Sequence, residues 1–181
     1  MQRAVNMASV DGLEGLSIGA LAAESAMSKG GVVALFGTKK QLQLATVEAA
    51  REIFVEAVII PALAVKGGRA RLDALLDNWL RYSESRVFEG GCFFAAASAE
   101  VGSRPGPVRD AVAEAMGEWQ RFVAGAVQRA IDAGELEPPT DADQLAFEIT
   151  AILAGANSAS LLYGTSEPYA RARVALSRLV R

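Results

Sequence analysis

The stretch SKGGVVALFGTKKQL, Ser28 to Leu42, places two adjacent glycines in the first turn of what otherwise reads as a short helix. A glycine inside a helix costs about 1 kcal/mol relative to alanine. Gly30 and Gly31 therefore call for a reason, and close approach of something bulky to a bare backbone is one. Ser28 stands as the N-cap of this helix and Gly37 as its stop. Thr38 caps a longer fourth helix, with Leu42, Ala45, Ala49, Ile53, Ala57 and Ile60 at spacings of three or four. Upstream, Ser17 caps SIGALAAE, and only Ser25-Ala26-Met27 separate the two short helices, the length of a helix-turn-helix connection. In such a unit the second helix enters the major groove by its N-terminal end, so its first turn must be slim.

Outward from this core the punctuation is Gly and Pro. Residues 2–10 read as a short first helix ended by Asp11-Gly12. Lys66-Gly67-Gly68 is a loop, 69–87 a helix with Leu72, Leu75, Leu76, Trp79 and Leu80, and Gly90-Gly91 a break before CFFAAASAEV. Pro107 opens a helix to Ala133, Gly134 ends it, EPPTDAD makes a turn and a cap, and helices over 141–163 and from SEPYA to Val180 finish the chain. The reading is all-α with about nine helices, divided into a helix-turn-helix domain over 1–40 and a second helical domain over 41–181.

Among 181 residues the net charge of −3 gives no global attraction to polyanions, but three of the four cations in the first fifty residues are Lys29, Lys39 and Lys40. Local clustering counts for more than the sum. The sequence has no His, no GxSxG elbow, no phosphate-binding Gly loop of known spacing and no metal-ligand cluster. These absences argue against an enzyme and lead to an expectation of no cofactor and no metal. A single cysteine, Cys92, fits a reducing compartment, and its simplest role is as a small buried apolar residue; a sensor would need an exposed, reactive thiolate. Apolar runs such as AVIIPALAV are too short to span a bilayer, so a cytoplasmic protein is expected.

The segment GLEGLSIGALAAESAMSKGGVVALFGTKKQLQLA resembles the DNA-binding domain of TetR-type transcriptional regulators, with Leu16, Ala22, Met27, Ser28, Lys29, Phe36, Gly37, Lys39 and Leu42 matching in order. The resemblance covers residues 10–50, and GGCFFAAASAEVGSRPGPVRDAV matches one branch of the family more weakly. Three departures stand out: Ala26 replaces the usual Gly of the turn, Val33 and Leu35 replace Tyr and His, and the first helix begins late, as a shortened N-terminus would.

The resemblance implies a homodimeric, ligand-responsive regulator, a repressor, on a pseudo-palindromic operator of double-stranded DNA. Its DNA-contacting residues would be Ser17, Ser28, Lys29, Gly30, Gly31, Val33, Thr38 and Lys39. It implies a pocket for a small apolar or aromatic effector, for which Trp79, Tyr82, Phe94, Met116, Trp119, Phe122 and Phe147 are candidates. The dimer would form through the last two helices, at Leu153, Ala156, Ser160, Tyr169, Ala172, Leu176 and Leu179. Ala26, Val33, Leu35 and the short first helix also allow a competing reading, a helical ligand-binding and dimerisation protein that has lost DNA binding.

Overall fold

In a computed structural model describing residues 1–137 and 141–181, the sequence folds into helices joined by short loops, with no strand among the described residues. The helices are α1 (Gln2–Gly15), α2 (Ile18–Glu24), α3 (Lys29–Phe36), α4 (Lys39–Phe54), α5 (Ile60–Leu63), α6 (Gly68–Glu84), α7 (Phe93–Val101), α8 (Pro107–Asp132), α9 (Ala142–Tyr163) and α10 (Glu167–Leu179). The chain forms two compact units. One comprises Met1–Ile53 and Arg86–Ala115, the other Phe54–Ser85 and Met116–Arg181, so position 40/41 lies inside the first. Of the turn expected over EPPTDAD, residues 138–140 fall outside the described residues; Asp141 caps α9 by accepting from the N–H groups of Asp143 and Gln144.

In the first unit the local signals do what their chemistry dictates. The hydroxyl of Ser17 accepts from Ala20 N–H at 3.1 Å and that of Ser28 from Gly31 N–H at 3.0 Å. Thr38 and Gln41 form a reciprocal capping box: Thr38 Oγ1 accepts from Gln41 N–H, and Gln41 Oε1 accepts from Thr38 N–H. Leu13, Leu16, Leu21, Val32 and Leu42 are buried and form the core of the three-helix head. The turn after α2 closes as a Schellman motif, Met27 N–H donating to Ala22 C=O at 3.0 Å, and leaves Ala26 left-handed at φ 51.

The first helix breaks at Asp11-Gly12 as its sequence predicts, Gly12 leaving helical geometry at φ 77, and a further short turn carries α1 on to Gly15. The kink frees the N–H groups of Leu13 and Glu14, and both donate at 2.7 Å to the carboxylate of Glu100 on α7. Farther up α1, Asn6 and Ser9 bond to the Glu89 and Gly90 backbone N–H groups, and a Cβ at Gly90 would overlap the Ser9 carbonyl. A glycine is required there because the two backbones touch.

The second unit contains the segment the sequence reading drew as plain α-helix. Between α4 and α5, Val55–Ile59 is a π-turn in which Ile60 N–H donates to Val55 C=O. Pro61 explains it: proline offers no N–H and crowds the carbonyl four residues back, and a widened turn relieves the clash. Gly68 lets the start of α6 lie against the backbone of Arg129 and Ala130 on α8. A buried network joins three helices: Ser83 Oγ bonds Asn157 Oδ1 at 2.9 Å and Tyr169 Oη at 2.7 Å.

The sequence reading also missed one membrane-length helix. The Ala142–Tyr163 segment is long and apolar enough to cross a membrane by length and composition, with a mean hydropathy of 1.5 over its best window. Its inward side packs on α6 and α10, and its apolar outward side raises the average. Because Ala26 has the backbone conformation that a Cβ disfavours, Ala26→Gly should stabilise the protein by between about 0.5 and 1 kcal/mol, the lower end reflecting the greater freedom of glycine in the unfolded chain. Denaturant unfolding of the two proteins checks this.

Candidate nucleic-acid interface

The tip of α3 is open. Met27, Ser28, Lys29 and Gly30 are all exposed, and a Cβ at Gly30 would meet only Ser28 Oγ, at 3.9 Å. At Gly31 it would lie 3.3 Å from the same hydroxyl, so Gly31 sits under the cap and Gly30 faces out. Capping uses only an acceptor lone pair of Ser17 and Ser28, which leaves each hydroxyl hydrogen available to a phosphate. Lys29 reaches across Gly19 of α2, and Lys40 is exposed at the start of α4. Val33 is exposed on the next turn.

Two residues expected to touch DNA are occupied within the chain. Thr38 donates its hydroxyl hydrogen to Gln41 Oε1 at 3.1 Å while accepting from Gln41 N–H, so the capping box takes up both of its roles. Lys39 Nζ donates to the Glu14 carbonyl at 2.6 Å and pairs with the Glu14 carboxylate at 3.2 Å. The hydrogen bond from Lys39, reinforced by its positive charge, holds the Glu14 carboxyl below its usual range. Periodicity gives no warning of a partner 25 positions away. Lys40, which the candidate set left out, is the lysine of this pair that remains turned to solvent.

The seven effector candidates are not brought together. Tyr82 and Trp119 meet on Phe54, each edge to face, with centroids 5.4 and 5.1 Å away. Phe54, the last residue of α4, is the aromatic that sequence reasoning left out of the set. Trp79 is buried on α6, and Phe122 is half-buried on α8. Phe94 belongs to the first unit, where it packs on Phe93 at 5.2 Å. Met116 is exposed and Phe147 is 63% exposed, so Phe147 lines no interior site in this chain. Cys92 is buried at the N-cap of α7, as its bland role requires.

The expected dimer residues turn inward. Leu153, Ala156, Ser160, Tyr169, Ala172 and Leu176 are buried where α9, α10 and α6 pack, and Leu179 is half-buried. Their stripe is the seam between the last two helices, so the chain's own packing accounts for it. Outward, α9 presents Phe147, Ala151, Gly155, Ser158 and Leu162 at steps of three or four, with Leu162 77% exposed, and α10 presents Val174. Between the two helices lies a groove of about 460 Å³ lined by Gly155, Ala159, Pro168 and Ala175, among others.

Comparison with known proteins adds a lineage to this geometry. The family profile described as "Tetracyclin repressor-like, C-terminal domain" matches residues 68–176. A TetR transcriptional regulator from Chloroflexus aurantiacus J-10-FL is similar at 29% identity and a TM-score of 0.89, over 98% of this chain and 89% of that one. The transcriptional regulator of the TetR family from Agrobacterium tumefaciens shares the fold at 18% identity and a TM-score of 0.88, over 99% and 95% of the two chains. AibR, in complex with isovaleryl coenzyme A and operator DNA, shares it at 20% identity and a TM-score of 0.71, over 87% and 85%. No curated protein sequence matches the chain.

The Lys39–Glu14 pair has a definite pH signature. A lowered carboxyl pKa means that the pair's contribution is whole at neutral pH and is lost as pH falls through that lowered value. In an NMR pH titration Glu14 should titrate below the ordinary carboxylate range, and Lys39→Met should return it to that range.

Proposed function

The chain belongs to the TetR family of transcriptional regulators, a non-enzymatic family, and from that premise we infer that it acts as a homodimeric, ligand-responsive repressor of a pseudo-palindromic operator. The observation that carries this reading is Gly30. A Cβ there would meet nothing in the chain nearer than Ser28 Oγ at 3.9 Å, yet the helix carries a glycine at an energetic cost. A duplex surface supplies the missing neighbour. Ser17, Ser28, Lys29 and Lys40 would hold phosphates, Gly30 and Val33 would face the groove, and two copies of α3 would sit one DNA turn apart, roughly 34–36 Å.

Response to an effector requires only that the ligand bind two states of the dimer unequally. The Phe54–Tyr82–Trp119 cluster, with Trp79 on the same helix as Tyr82, offers aromatic edges and polar tips to a small apolar or aromatic molecule. AibR, seen with both an acyl-coenzyme A and operator DNA, supports the view that one such fold serves both partners. For the dimer we assign the outward residues of α9 and α10, since an apolar stripe of that length on a surface calls for a cover. The chemistry of the reading fits a cytoplasmic protein.

Three experiments test the proposal. Gly30→Ala should leave thermal stability unchanged or raise it by up to about 1 kcal/mol, while affinity for the operator drops at least tenfold in fluorescence anisotropy; equal affinity would remove α3 as the docking helix, in favour of a protein that has lost DNA binding. In the wild type the logarithm of affinity should fall with the logarithm of salt concentration by about 0.9 per phosphate neutralised. For the dimer, the double change Phe147→Glu, Leu162→Glu should yield a folded monomer in sedimentation, because both side chains lie on the surface of the single chain.

A further inference from the structure

The outward face of α3 is apolar throughout. With the fully buried Val32 taken as the inward direction, steps of 100° per residue put Gly30 and Ala34 opposite it, one turn apart, with Val33 and Leu35 on the flanks. Val33 is 48% exposed and Leu35 65% exposed. After Lys29 the helix reads GGVVALF, and none of these side chains carries a hydrogen-bonding group. Readout by paired hydrogen bonds needs Arg or Lys on guanine, Asn or Gln on adenine, or a carboxylate on cytosine. Past its first residue, α3 has none of them.

One group on the major-groove edge suits such a surface, the C5-methyl of thymine, which apolar side chains read by contact. We propose that α3 selects its half-site through thymine methyl groups, with Val33 and Leu35 as the specificity-determining side chains and the Gly30–Ala34 line letting the helix sink deep enough to reach them. The proposal rests on the reading of α3 as the docking helix and adds the chemistry of the sequence it reads. Lys29 and Lys40 supply attachment that is indifferent to sequence, so discrimination falls to the apolar residues. A duplex is favoured over a protein partner for this face because exposed Lys29 and the capping hydroxyl of Ser28 stand at its N-terminal end, where phosphates would lie.

The test uses the full-length protein and an operator duplex recovered by selection from a random pool. Each thymine of the selected half-site is replaced in turn by deoxyuridine, which differs from it only in lacking the methyl group. Affinity should fall roughly fourfold for each contacted methyl, the equivalent of one apolar carbon removed from water, and the loss should shrink below twofold in Val33→Ala or Leu35→Ala. Both side chains are on the surface, and unfolding curves that overlay the wild type establish that the variants fold. Equal binding of thymine and deoxyuridine duplexes overturns the proposal and leaves α3 as a docking helix. A thymine dependence that survives both substitutions overturns the assignment to these residues. Failure to recover any duplex at low salt, the outcome a protein-docking face would give, overturns both this inference and the function beneath it.

Discussion

The head of this protein is organised by one turn of α1 whose backbone polar groups are satisfied from outside the helix. At Gly12 the chain leaves helical geometry, and the N–H groups of Leu13 and Glu14 lose their intrahelical acceptors. Glu100 of α7 takes both. The carbonyls on the same turn are met from α4: Gln43 Nε2 donates to Leu13 O at 2.7 Å and Lys39 Nζ to Glu14 O at 2.6 Å. Of these four, the Gln43 bond to the Leu13 carbonyl is buried, and a buried polar group left without a partner costs about 1–3 kcal/mol, so this bond secures the turn from which Leu13 enters the core. Gly90 and Asn6 extend the same contact along α1, and the 86–115 segment thereby belongs to the compact unit that bears α3.

The arrangement explains how the lysines divide their work. Lys39 lies at the start of α4 and is drawn back to Glu14, where it meets both the carboxylate and the backbone carbonyl of that residue in the last turn of α1. Arg3 does the same for α2 by donating to the Glu24 carbonyl. Lys29 and Lys40 remain in solvent. The apparent cluster of three lysines therefore separates into one cation bonded back to α1 and two that are open to a polyanion.

In the second unit the comparable constraint is the Ser83–Asn157–Tyr169 network. Hydrogen bonds in a low-dielectric interior are demanding of geometry, and this set fixes which sides of α9 and α10 face α6. Once that rotation is fixed, Leu153, Ala156, Tyr169 and Leu176 are committed inward, and Phe147 and Leu162 are left on the surface. The apolar composition of α9 is the sum of two faces with different fates, which is why its hydropathy reaches membrane values.

The sequence by itself determined whatever is settled within a turn of the chain: the caps at Ser17, Ser28 and Thr38, the stops at Gly37 and Gly134, the break at Gly12, and the strained Ala26 in a turn that prefers glycine. Such features rest on bonds between residues two to five apart, so spacing alone reveals them. The family was legible for the same reason, because its motif is a string of these local signals. The rotation of α9 and α10, the partners of Lys39 and Glu100, and the meeting of Tyr82 and Trp119 on Phe54 were decided only by tertiary structure. An apolar stripe states that a face will be covered and not by what, and a charge states that it will find a partner and not which; both choices depend on groups 20 to 90 positions away that only the folded chain brings into reach.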